Sequence, residues 1–413
     1  MKAIVVGAGI GGLATALLLH QRGIAAEIYE QAETVRELGV GINTLPHAIK
    51  ELAGLGLLDR LDRVGVRTVE LIYMNRLGQE IWREPRGLDA GYEVPQFSIH
   101  RGRLQGVLLE AVRERLGPEA VRTGRRLGAF SQDEEGVAAE FFDRAGRHAG
   151  TARADVLIAA DGIHSAARGK LFPGEGPPCW NGLMLWRGVA DWPAFLTGQS
   201  MIIAGGMSAK AVVYPIGEGS EPGRRLTNWA LLAKVGEGGS PPRREDWSRP
   251  GRREELEPFV SRFSVPQVDA AGLIAATPEF WEYPMCDRDP LPRWSEGRVT
   301  LLGDAAHPMY PVGSNGASQA ILDARCLADA LAAAEHPVEA LARYEAERAS
   351  KTAAIVRSNR EGGPEGVIDA VEALAPDGFD DVERVMTRAE REAIVRGYAR
   401  QAGFAPDQVG RAA

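Results

Sequence analysis

Cysteine is scarce in this chain, which has Cys179, Cys286 and Cys326 and no others among its 413 residues. No two of them form a CxxC pair and no histidine stands close by, so the spacing predicts neither a zinc site nor a disulfide framework. An HExxH sequence and a carboxylate cluster are also missing, and we expect no metal. Reduced cysteines are typical of a cytoplasmic protein.

The chain has no excess of positive charge. Its 48 Lys and Arg against 56 Asp and Glu give a net charge of -8, which argues against nucleic acid as a partner. Without a basic block, an anionic membrane surface is also not expected. The apolar run near the N-terminus is interrupted by glycines at 7, 9 and 12, so it is too short for a membrane span or a signal peptide.

The order of apolar segments predicts an α/β fold. Residues 2–6 and 25–29 read as buried strands, and the helical stretch 13–20 between them completes a βαβ unit. From about 175 to 285 the chain becomes rich in tryptophan and in Pro/Gly turns, which predicts a second domain on an antiparallel sheet. The last stretch, 361–413, is charged and helical.

Gly7-Ala8-Gly9-Ile10-Gly11-Gly12 matches GxGxxG between the first strand and the helix. The first glycine permits the tight turn, the second lets a pyrophosphate approach the backbone, and the last packs the helix on the strand. Glu30 ends the second strand, where a carboxylate can accept hydrogen bonds from an adenosine ribose. The motif predicts dinucleotide binding but does not choose between FAD and NAD.

Two later segments favour FAD. Asp161-Gly162 follows one buried strand, and Gly303-Asp304 follows another, where Asp304 can reach a ribose or ribitol hydroxyl. The turn from Gly313 to Gly316 begins a helix and offers backbone N–H groups at its positive end. That arrangement suits a flavin ring, which is negative near N1 and C2=O when reduced.

Together these three segments resemble the glycine fingerprint, the DG motif and the GD motif of the class A flavoprotein aromatic hydroxylases, the p-hydroxybenzoate hydroxylase class. LGVGIN at 38–43, QFSIHRGRLQ at 96–105, MLWRGV at 184–189 and YPMCDRDPLPRW at 283–294 resemble its phenazine-hydroxylating members, and the resemblance extends to about residue 360. It implies a Rossmann-like, GR2-type FAD-binding domain, a smaller antiparallel-sheet substrate domain and a C-terminal helical region. The implied segments are 1–72, 97–174 and 286–360 for FAD, 73–96 and 175–285 for substrate, and 361–413 for the C-terminal helices.

The resemblance also assigns cofactor contacts by matching position. It places the FAD diphosphate on the fingerprint, the adenosine ribose on Glu30, and the isoalloxazine against Gly41 and the loop 311–316. The full set of expected FAD residues is Gly7, Gly9, Ile10, Gly11, Gly12, Glu30, Arg36, Gly41, Arg101, Gln105, Asp161, Gly162, Gly303, Asp304, Pro311, Gly313, Ser314, Asn315 and Gly316.

The reaction implied is hydroxylation of a planar aromatic or N-heteroaromatic substrate, including aromatic carboxylates, with O2 and NADPH or NADH through a C4a-hydroperoxyflavin. A second GxGxxG is missing, which favours transient nicotinamide binding. Two alternatives stay open: an FAD dehydrogenase or oxidase without oxygen insertion, and a binding module with structural FAD. The sequence leaves a monomer and a homodimer equally open.

The flavin carries the chemistry in this class, so the sequence names no catalytic acid or base. His47 and His307 are each open to two interpretations, substrate or proton contact on one side and local packing on the other. Residues that can stack on or anchor a flat substrate are also compatible with a place in the core; they are Trp186, Arg187, Tyr214, Trp281 and Tyr283.

Overall fold

The computed structural model describes residues 1–35, 39–243, 246 and 249–410. Its strands are, in chain order, β1 (Lys2–Val6), β2 (Ala25–Tyr29), β3 (Gly41–Thr44), β4 (Gly65–Arg67), β5 (Glu70–Met74), β6 (Glu80–Pro85), β7 (Phe97–His100), β8 (Val121–Arg122), β9 (Arg126–Gln132), β10 (Val137–Phe142), β11 (His148–Ala154), β12 (Val156–Ala159), β13 (Cys179–Pro193), β14 (Ser200–Ala204), β15 (Ala209–Glu218), β16 (Arg224–Lys234), β17 (Phe280–Asp287), β18 (Ser295–Glu296) and β19 (Val299–Leu301).

The helices are α1 (Ile10–Gln21), α2 (Pro46–Gly54), α3 (Leu58–Asp62), α4 (Arg101–Leu116), α5 (Ala166–Leu171), α6 (Arg253–Val260), α7 (Ala270–Ala275), α8 (Gly316–Ala333), α9 (Pro337–Arg360), α10 (Gly366–Leu374), α11 (Val382–Val385), α12 (Arg388–Gln401) and α13 (Pro406–Val409). Single 3₁₀ turns occur at Gly87–Ala90, Pro118–Ala120, Gly303–Ala305, Val312–Ser314 and Gly363–Glu365.

A mostly parallel six-stranded sheet carries the motifs. Its order is β18-β19-β12-β1-β2-β8, and the β18/β19 pair alone among these is antiparallel. The side chains of β12 are fully buried, as expected for a strand covered on both faces. Helix α1 packs on α4 and α8, and the small sheet β11-β10-β9 contacts β1 and β12. The predicted α/β class is therefore confirmed.

Helix α1 begins earlier than the sequence indicates. We expected the helix from Leu13, but it starts at Ile10, because Gly11 and Gly12 take helical conformation in its first turn. The glycines depress helix propensity without preventing a start that packing on the sheet stabilises.

The second sheet has the order β17-β13-β16-β15-β14-β5-β6. It is antiparallel as expected, except that β14 pairs with β5 in parallel. Strands β5 and β6 precede the rest of this sheet by more than ninety residues, and so long a connection permits a parallel pair. Alternation along β13 and β17 sends Trp186 and Phe280 into a core with α6 and α7, and Arg187 and Tyr283 to the other face.

Two of the expected domain boundaries fall inside strands. Strand β5 crosses the boundary between 72 and 73, and β17 crosses that between 285 and 286. The division of the chain into six segments stays a prediction.

The C-terminal helices cover the end of the second sheet. Val367 and Ile368 of α10 and Val395 of α12 share a buried cluster with Tyr73 and Tyr214. Within the described chain, no helix has the length and apolar character that crossing a bilayer requires. The same residues contain no group of three or more His, Cys, Asp or Glu side chains placed to hold a metal ion.

Candidate cofactor and substrate site

The fingerprint turn lies between β1 and α1 and leaves no room for side chains. A Cβ on Gly7, whose φ is +102°, would lie 2.4 Å from the carbonyl oxygen of Ala160, and one on Gly12 would lie 2.0 Å from that of Gly7. Around Gly9, by contrast, no described atom lies within 4 Å of a Cβ position. Among the described residues no side chain caps α1, and an uncapped helix N-terminus is a suitable site for an anion such as a diphosphate.

Glu30 and Gln105 both hold the backbone of Ala8. Oε2 of Glu30 accepts a hydrogen bond from the Ala8 N–H at 2.8 Å, and Oε1 accepts one from Ala32 N–H at 2.8 Å. Nε2 of Gln105, on α4, donates to the Ala8 carbonyl oxygen at 2.7 Å. Both oxygens of this carboxylate are thus fixed beside the fingerprint turn, and the expected ribose contact stays a prediction. The hydrogen bond of Gln105 therefore joins α4 to the fingerprint turn.

The DG segment follows β12. Oδ2 of Asp161 accepts a hydrogen bond from Ala166 N–H at 2.7 Å, while its buried Oδ1 has no partner among the described residues. Burial raises the pKa of this carboxyl, and hydrogen bonds from Ser165 and backbone N–H groups oppose that rise. Gly162, with φ +78°, turns the chain towards α5. A buried carboxylate oxygen with spare accepting capacity is a candidate contact for a ligand hydroxyl or N–H.

The GD segment follows β19, the neighbour of β12 in the sheet. Asp304 is exposed, yet protein surrounds it closely enough that burial raises its pKa, against the effects of His307 and Arg101. The carboxylate is therefore accessible to a ligand, although the surrounding protein partly removes it from water. Gly303, with φ +60°, makes the turn that places it there.

Arg168 ties the DG and GD segments together. This buried side chain donates to the carbonyl oxygens of Ala305 at 3.1 Å and Ala306 at 2.8 Å, and it pairs with Glu175. The two motifs are therefore fixed relative to each other, as a shared ligand would require.

His307 belongs to a buried polar cluster behind the GD turn. Its Nε2 lies 2.5 Å from Oδ2 of Asp323, which also accepts from Gly303 N–H at 3.1 Å, and Nε of Arg348 lies 2.7 Å from Oδ1. Burial alone would raise the pKa of Asp323, but His307 and Arg348 lower it to about 2. These contacts favour the packing interpretation of His307 over that of a proton-transfer group.

The loop 311–316 reaches α8 through two left-handed residues, Gly313 with φ 63° and Ser314 with φ 56°. Asn315 is buried at the N-cap position of α8, where its side chain makes no capping hydrogen bond, and Gly316 begins the helix. Pro311 is exposed. The loop therefore presents backbone at the positive end of an 18-residue helix.

Gly41 on β3 lies against the second sheet. A Cβ there would lie 2.7 Å from Cε2 of Tyr214 and 2.8 Å from Cβ of Asn228, and Gly41 N–H donates to Oδ1 of Asn228 at 2.8 Å. Nη2 of Arg187 lies 3.4 Å from the Gly41 carbonyl oxygen. Only glycine fits this contact between the two parts of the chain.

Charged side chains meet in the same region. Burial and the nearby Arg187 lower the pKa of Arg101, while Asp304 and Tyr283 act in the opposite direction. Arg101 begins α4, and its N–H donates to the Val40 carbonyl oxygen at 2.9 Å. The expected flavin residues and the expected substrate residues are therefore electrostatic neighbours.

The expected substrate residues divide between the two faces of the second sheet. Arg187 and Tyr283 are hydrogen-bonded at 2.8 Å, and Trp281 is the register partner of Arg187 on the adjacent strand. Trp186 differs from our expectation: it faces the opposite core, only 1% exposed, with its ring stacked 5.6 Å from that of Phe259. Because adjacent strand residues point to opposite faces, Trp186 and Arg187 do not line one pocket.

Two further residues of the site were not found from the sequence. Asn228 and Tyr398 contact Gly41 and the loop 311–316, respectively, but neither belongs to a recognised motif. Arg36, an expected phosphate or ribose neighbour, lies outside the described residues.

Comparison with known proteins decides the family. The model of the FAD binding domain family matches residues 1–199 and 281–359. The chain belongs to this family. The two matched stretches contain all three flavin motifs and omit the strands β14, β15 and β16 of the second sheet.

Characterised relatives are hydroxylases. Phenazine 1,6-dicarboxylic acid hydroxylase PhzS of Lysobacter antibioticus is 44% identical over 87% of this chain and 89% of its own length. 3-Hydroxybenzoate 6-hydroxylase 1 of Aquipseudomonas alcaligenes is 32% identical over 86% and 87%. The crystal structure of Klebsiella pneumoniae HpxO with FAD and uric acid has 25% identity and a TM-score of 0.75, covering 98% of this chain and 97% of that one. The resemblance to class A aromatic hydroxylases is confirmed.

The protein is therefore a flavin-dependent aromatic monooxygenase with FAD as its cofactor and NAD(P)H as its co-substrate. The unobstructed Cβ direction at Gly9, the spare accepting capacity of Asp161 and the exposed carboxylate of Asp304 fit that cofactor. When bound, FAD supplies the redox chemistry, taking a hydride from the nicotinamide and delivering oxygen from O2 to the ring.

Proposed function

We propose that this monooxygenase hydroxylates a planar, N-heteroaromatic carboxylic acid of the phenazine type, and that Arg187 binds the substrate carboxylate. The observation that carries the proposal is the position of Arg187, which lies in an aromatic environment beside Gly41 and Tyr283. Arginine is well suited to a carboxylate because its guanidinium donates two parallel hydrogen bonds. The relative with 44% identity is a hydroxylase of a phenazine dicarboxylic acid, which supports this substrate class.

The aromatic side chains around Arg187 have a separate role in this proposal. Tyr214, Trp281 and Tyr283 supply a flat apolar surface that excludes water and orients the ring, while Arg187 fixes its rotation. The burial of Tyr214 and Tyr283 raises the pKa of both phenols, which keeps them protonated at neutral pH. Each remains a hydrogen-bond donor to substrate and neither adds a negative charge near a carboxylate.

The cofactor contacts are proposed on the same basis. Gly7, Gly9 and Gly12 with the N-terminus of α1 would hold the diphosphate, and Glu30 the adenosine ribose. Arg101 would bind the FAD phosphate and Asp304 the ribitol chain. Asp161 would contact the cofactor from the DG segment. Gly41 and the loop 311–316 would lie against the isoalloxazine.

We also propose a cytoplasmic monomer or homodimer. The three free thiols at Cys179, Cys286 and Cys326 support a reducing compartment. Light scattering on the purified protein would decide between the two oligomeric states, and a tetramer or larger assembly would contradict both.

The overall reaction consumes one NAD(P)H, one proton and one O2 per substrate and releases NAD(P)+, hydroxylated product and water. The test is turnover of phenazine-1-carboxylic acid, phenazine-1,6-dicarboxylic acid and unsubstituted phenazine under ¹⁸O₂, with products weighed by mass spectrometry. Nucleotide oxidation stimulated by the acids, with one ¹⁸O atom per product, supports the proposal. If ¹⁸O entered the product of unsubstituted phenazine but not the products of its carboxylic acids, the role of the carboxylate would be refuted. Nucleotide oxidation without label in any product would refute hydroxylation of phenazines.

A further inference from the structure

The side chain of Tyr398 holds the loop 311–316, which we expect against the flavin. Tyr398 lies C-terminal to the stretch matched by the family model, which ends at residue 359. Tyr398 is buried on α12, and its hydroxyl accepts a hydrogen bond from Nδ2 of Asn315 at 2.9 Å. The same hydroxyl donates to Oδ1 of Asn359 at 2.8 Å. Nδ2 of Asn359 in turn donates to the carbonyl oxygen of Tyr310 at 3.0 Å, immediately before the loop.

The ring of Tyr398 also lies directly on the loop backbone. A Cβ on Gly313 would lie 2.5 Å from Cε1 of Tyr398 and 2.6 Å from its hydroxyl oxygen, so only glycine permits the contact. Ser314 has a left-handed backbone with φ 56°, a conformation that a residue other than glycine rarely takes without support. Such a conformation persists when the surroundings determine it, and Tyr398 with its partners is part of those surroundings.

A second contact fixes the same turn from the other side. Oε1 of Glu365 accepts a hydrogen bond from Gly313 N–H at 3.0 Å, and its Oε2 forms a buried ion pair with Lys210 of β15. Lys210 and Glu365 are 3% and 5% exposed, so water does not weaken this pair. The loop is thus held jointly by the C-terminal helices and the second sheet.

We infer that Tyr398 is a positioning residue that sets the loop 311–316 for the flavin, so that the C-terminal helices control how tightly FAD is bound and how readily it is reduced. This rests on the proposed function, which places the loop against the isoalloxazine. The physical route is the backbone: N–H groups of the loop near the flavin favour negative charge there, and reduction adds negative charge. If the loop relaxes and these donors move away, the reduced flavin loses more stabilisation than the oxidised flavin does.

The test compares Tyr398→Phe with the wild type and with Tyr92→Phe. Phenylalanine keeps the ring on Gly313 and removes only the hydroxyl. Tyr92 is the matched control, because its buried hydroxyl donates to the carbonyl oxygen of Phe404 and so ties down the same C-terminal segment at Phe404 rather than at the loop. Two quantities are measured for each protein: the Kd for FAD, by titrating apoprotein, and the midpoint potential of bound FAD, by reduction against a reference dye.

In Tyr398→Phe we expect the Kd for FAD to rise about fivefold, the equivalent of one lost hydrogen bond, and the midpoint potential to become more negative. Tyr92→Phe is expected to match the wild type in both quantities. Asn359→Ala, which removes the acceptor of the Tyr398 hydroxyl, is expected to move both quantities in the same direction as Tyr398→Phe. Unchanged potential in both Tyr398→Phe and Asn359→Ala would overturn the inference, and equal changes in Tyr92→Phe would show a general loosening of the segment instead.

These measurements need neither substrate nor O2, so they separate the inference from the proposed function. A wild type that binds FAD but leaves phenazine acids unlabelled would refute the proposed substrate while leaving the Tyr398 comparison valid. A wild type that hydroxylates phenazine acids, with a Tyr398→Phe variant equal to it in Kd and potential, would refute the inference alone. A wild type with no affinity for FAD would refute both.

Discussion

Nη1 of Arg187 donates a hydrogen bond to the hydroxyl of Tyr283 at 2.8 Å. This contact joins β13 and β17 on the face of the second sheet that is turned towards Gly41. The guanidinium is thereby oriented by a phenol on one side and a backbone carbonyl on the other. A cation held in this way keeps its direction when a substrate enters.

We expect Arg187→Lys to lower kcat/KM for aromatic carboxylic acids about 10- to 100-fold, because a charged hydrogen-bonding pair contributes about 1.5–3 kcal/mol. Turnover of an uncharged analogue such as phenazine should change far less. Trp186→Phe is the matched control: it alters the adjacent residue of the same strand on the opposite face, so KM for the acids should stay at the wild-type value. Equal losses for acids and uncharged analogues in Arg187→Lys would contradict the carboxylate role.

Replacement of Glu30 by glutamine should weaken FAD binding about tenfold or more, because a neutral amide accepts weaker hydrogen bonds from ribose hydroxyls than a carboxylate does. The Ala8 N–H bond can be retained by the amide oxygen, so the fold should survive. The measurement is the Kd for FAD from titration of the apoprotein. Glu33→Gln, an exposed carboxylate three residues along the same segment, should bind FAD as the wild type does.

Gly41→Ala should both destabilise the protein and disturb FAD binding. Its Cβ would lie 2.7 Å from Tyr214 and 2.8 Å from Asn228, and overpacking of this kind costs about 1–3 kcal/mol. Gly54→Ala provides the comparison, since no described atom lies within 4 Å of its Cβ position at the end of α2. Chemical unfolding of both variants and their FAD content after gel filtration give the result. If Gly41→Ala unfolded like Gly54→Ala and kept its FAD, the tight contact with the second sheet would be refuted.

His47 predicts a pH dependence of stability. Burial and, to a smaller extent, Arg348 lower the pKa of this imidazole from 6.5 to about 3, so the folded state does not take up the proton that the unfolded chain takes up below pH 6.5. The associated stability is complete above pH 6.5 and is lost as the pH falls towards 3. In the window from pH 6.5 to 5, where few carboxylates titrate, the free energy of unfolding should fall by about 1.4 kcal/mol per pH unit.

His47→Gln should flatten that part of the profile, because glutamine has no proton to take up. The measurement is urea unfolding at several pH values in the window, for the wild type and the variant. Parallel profiles of the two proteins would contradict the assignment. Among the described residues, the one hydrogen-bond contact of His47 joins its Nε2 to Nε2 of Gln319 at 3.4 Å, and the side-chain amide of glutamine can replace it.

The parallel sheet and its motifs were predictable from the sequence because their signals are local. Strand β1, the glycines at 7 and 12 and Glu30 lie within one βαβ unit, where periodicity and glycine spacing determine the geometry. The second sheet was predictable as a sheet but not in its pairing: the parallel β14/β5 contact joins segments far apart in the chain. The register of the strands determines that Trp281 lies on the face of Arg187 and that Trp186 lies on the opposite face. A register error of one residue would exchange the two faces.

The contacts of Asn228 and Tyr398 were beyond sequence reasoning for a related cause. Each reaches the site from a segment with no motif, and each acts on a glycine whose requirement is set by tertiary packing alone. Local propensity carries no information about a partner 187 residues away, which is the separation between Gly41 and Asn228.

The arrangement of the strands has a consequence for the order in which the protein is made. Strand β1 can pair with β2 early. Its other neighbour, β12, is complete only once residue 159 has been added, and β19 only once residue 301 has been added. Tyr398 is synthesised roughly 20–80 s after the first strand at typical translation rates. A ribosome stalled before α12 would therefore carry the complete fingerprint turn, but a loop 311–316 that lacks its contacts with Tyr398.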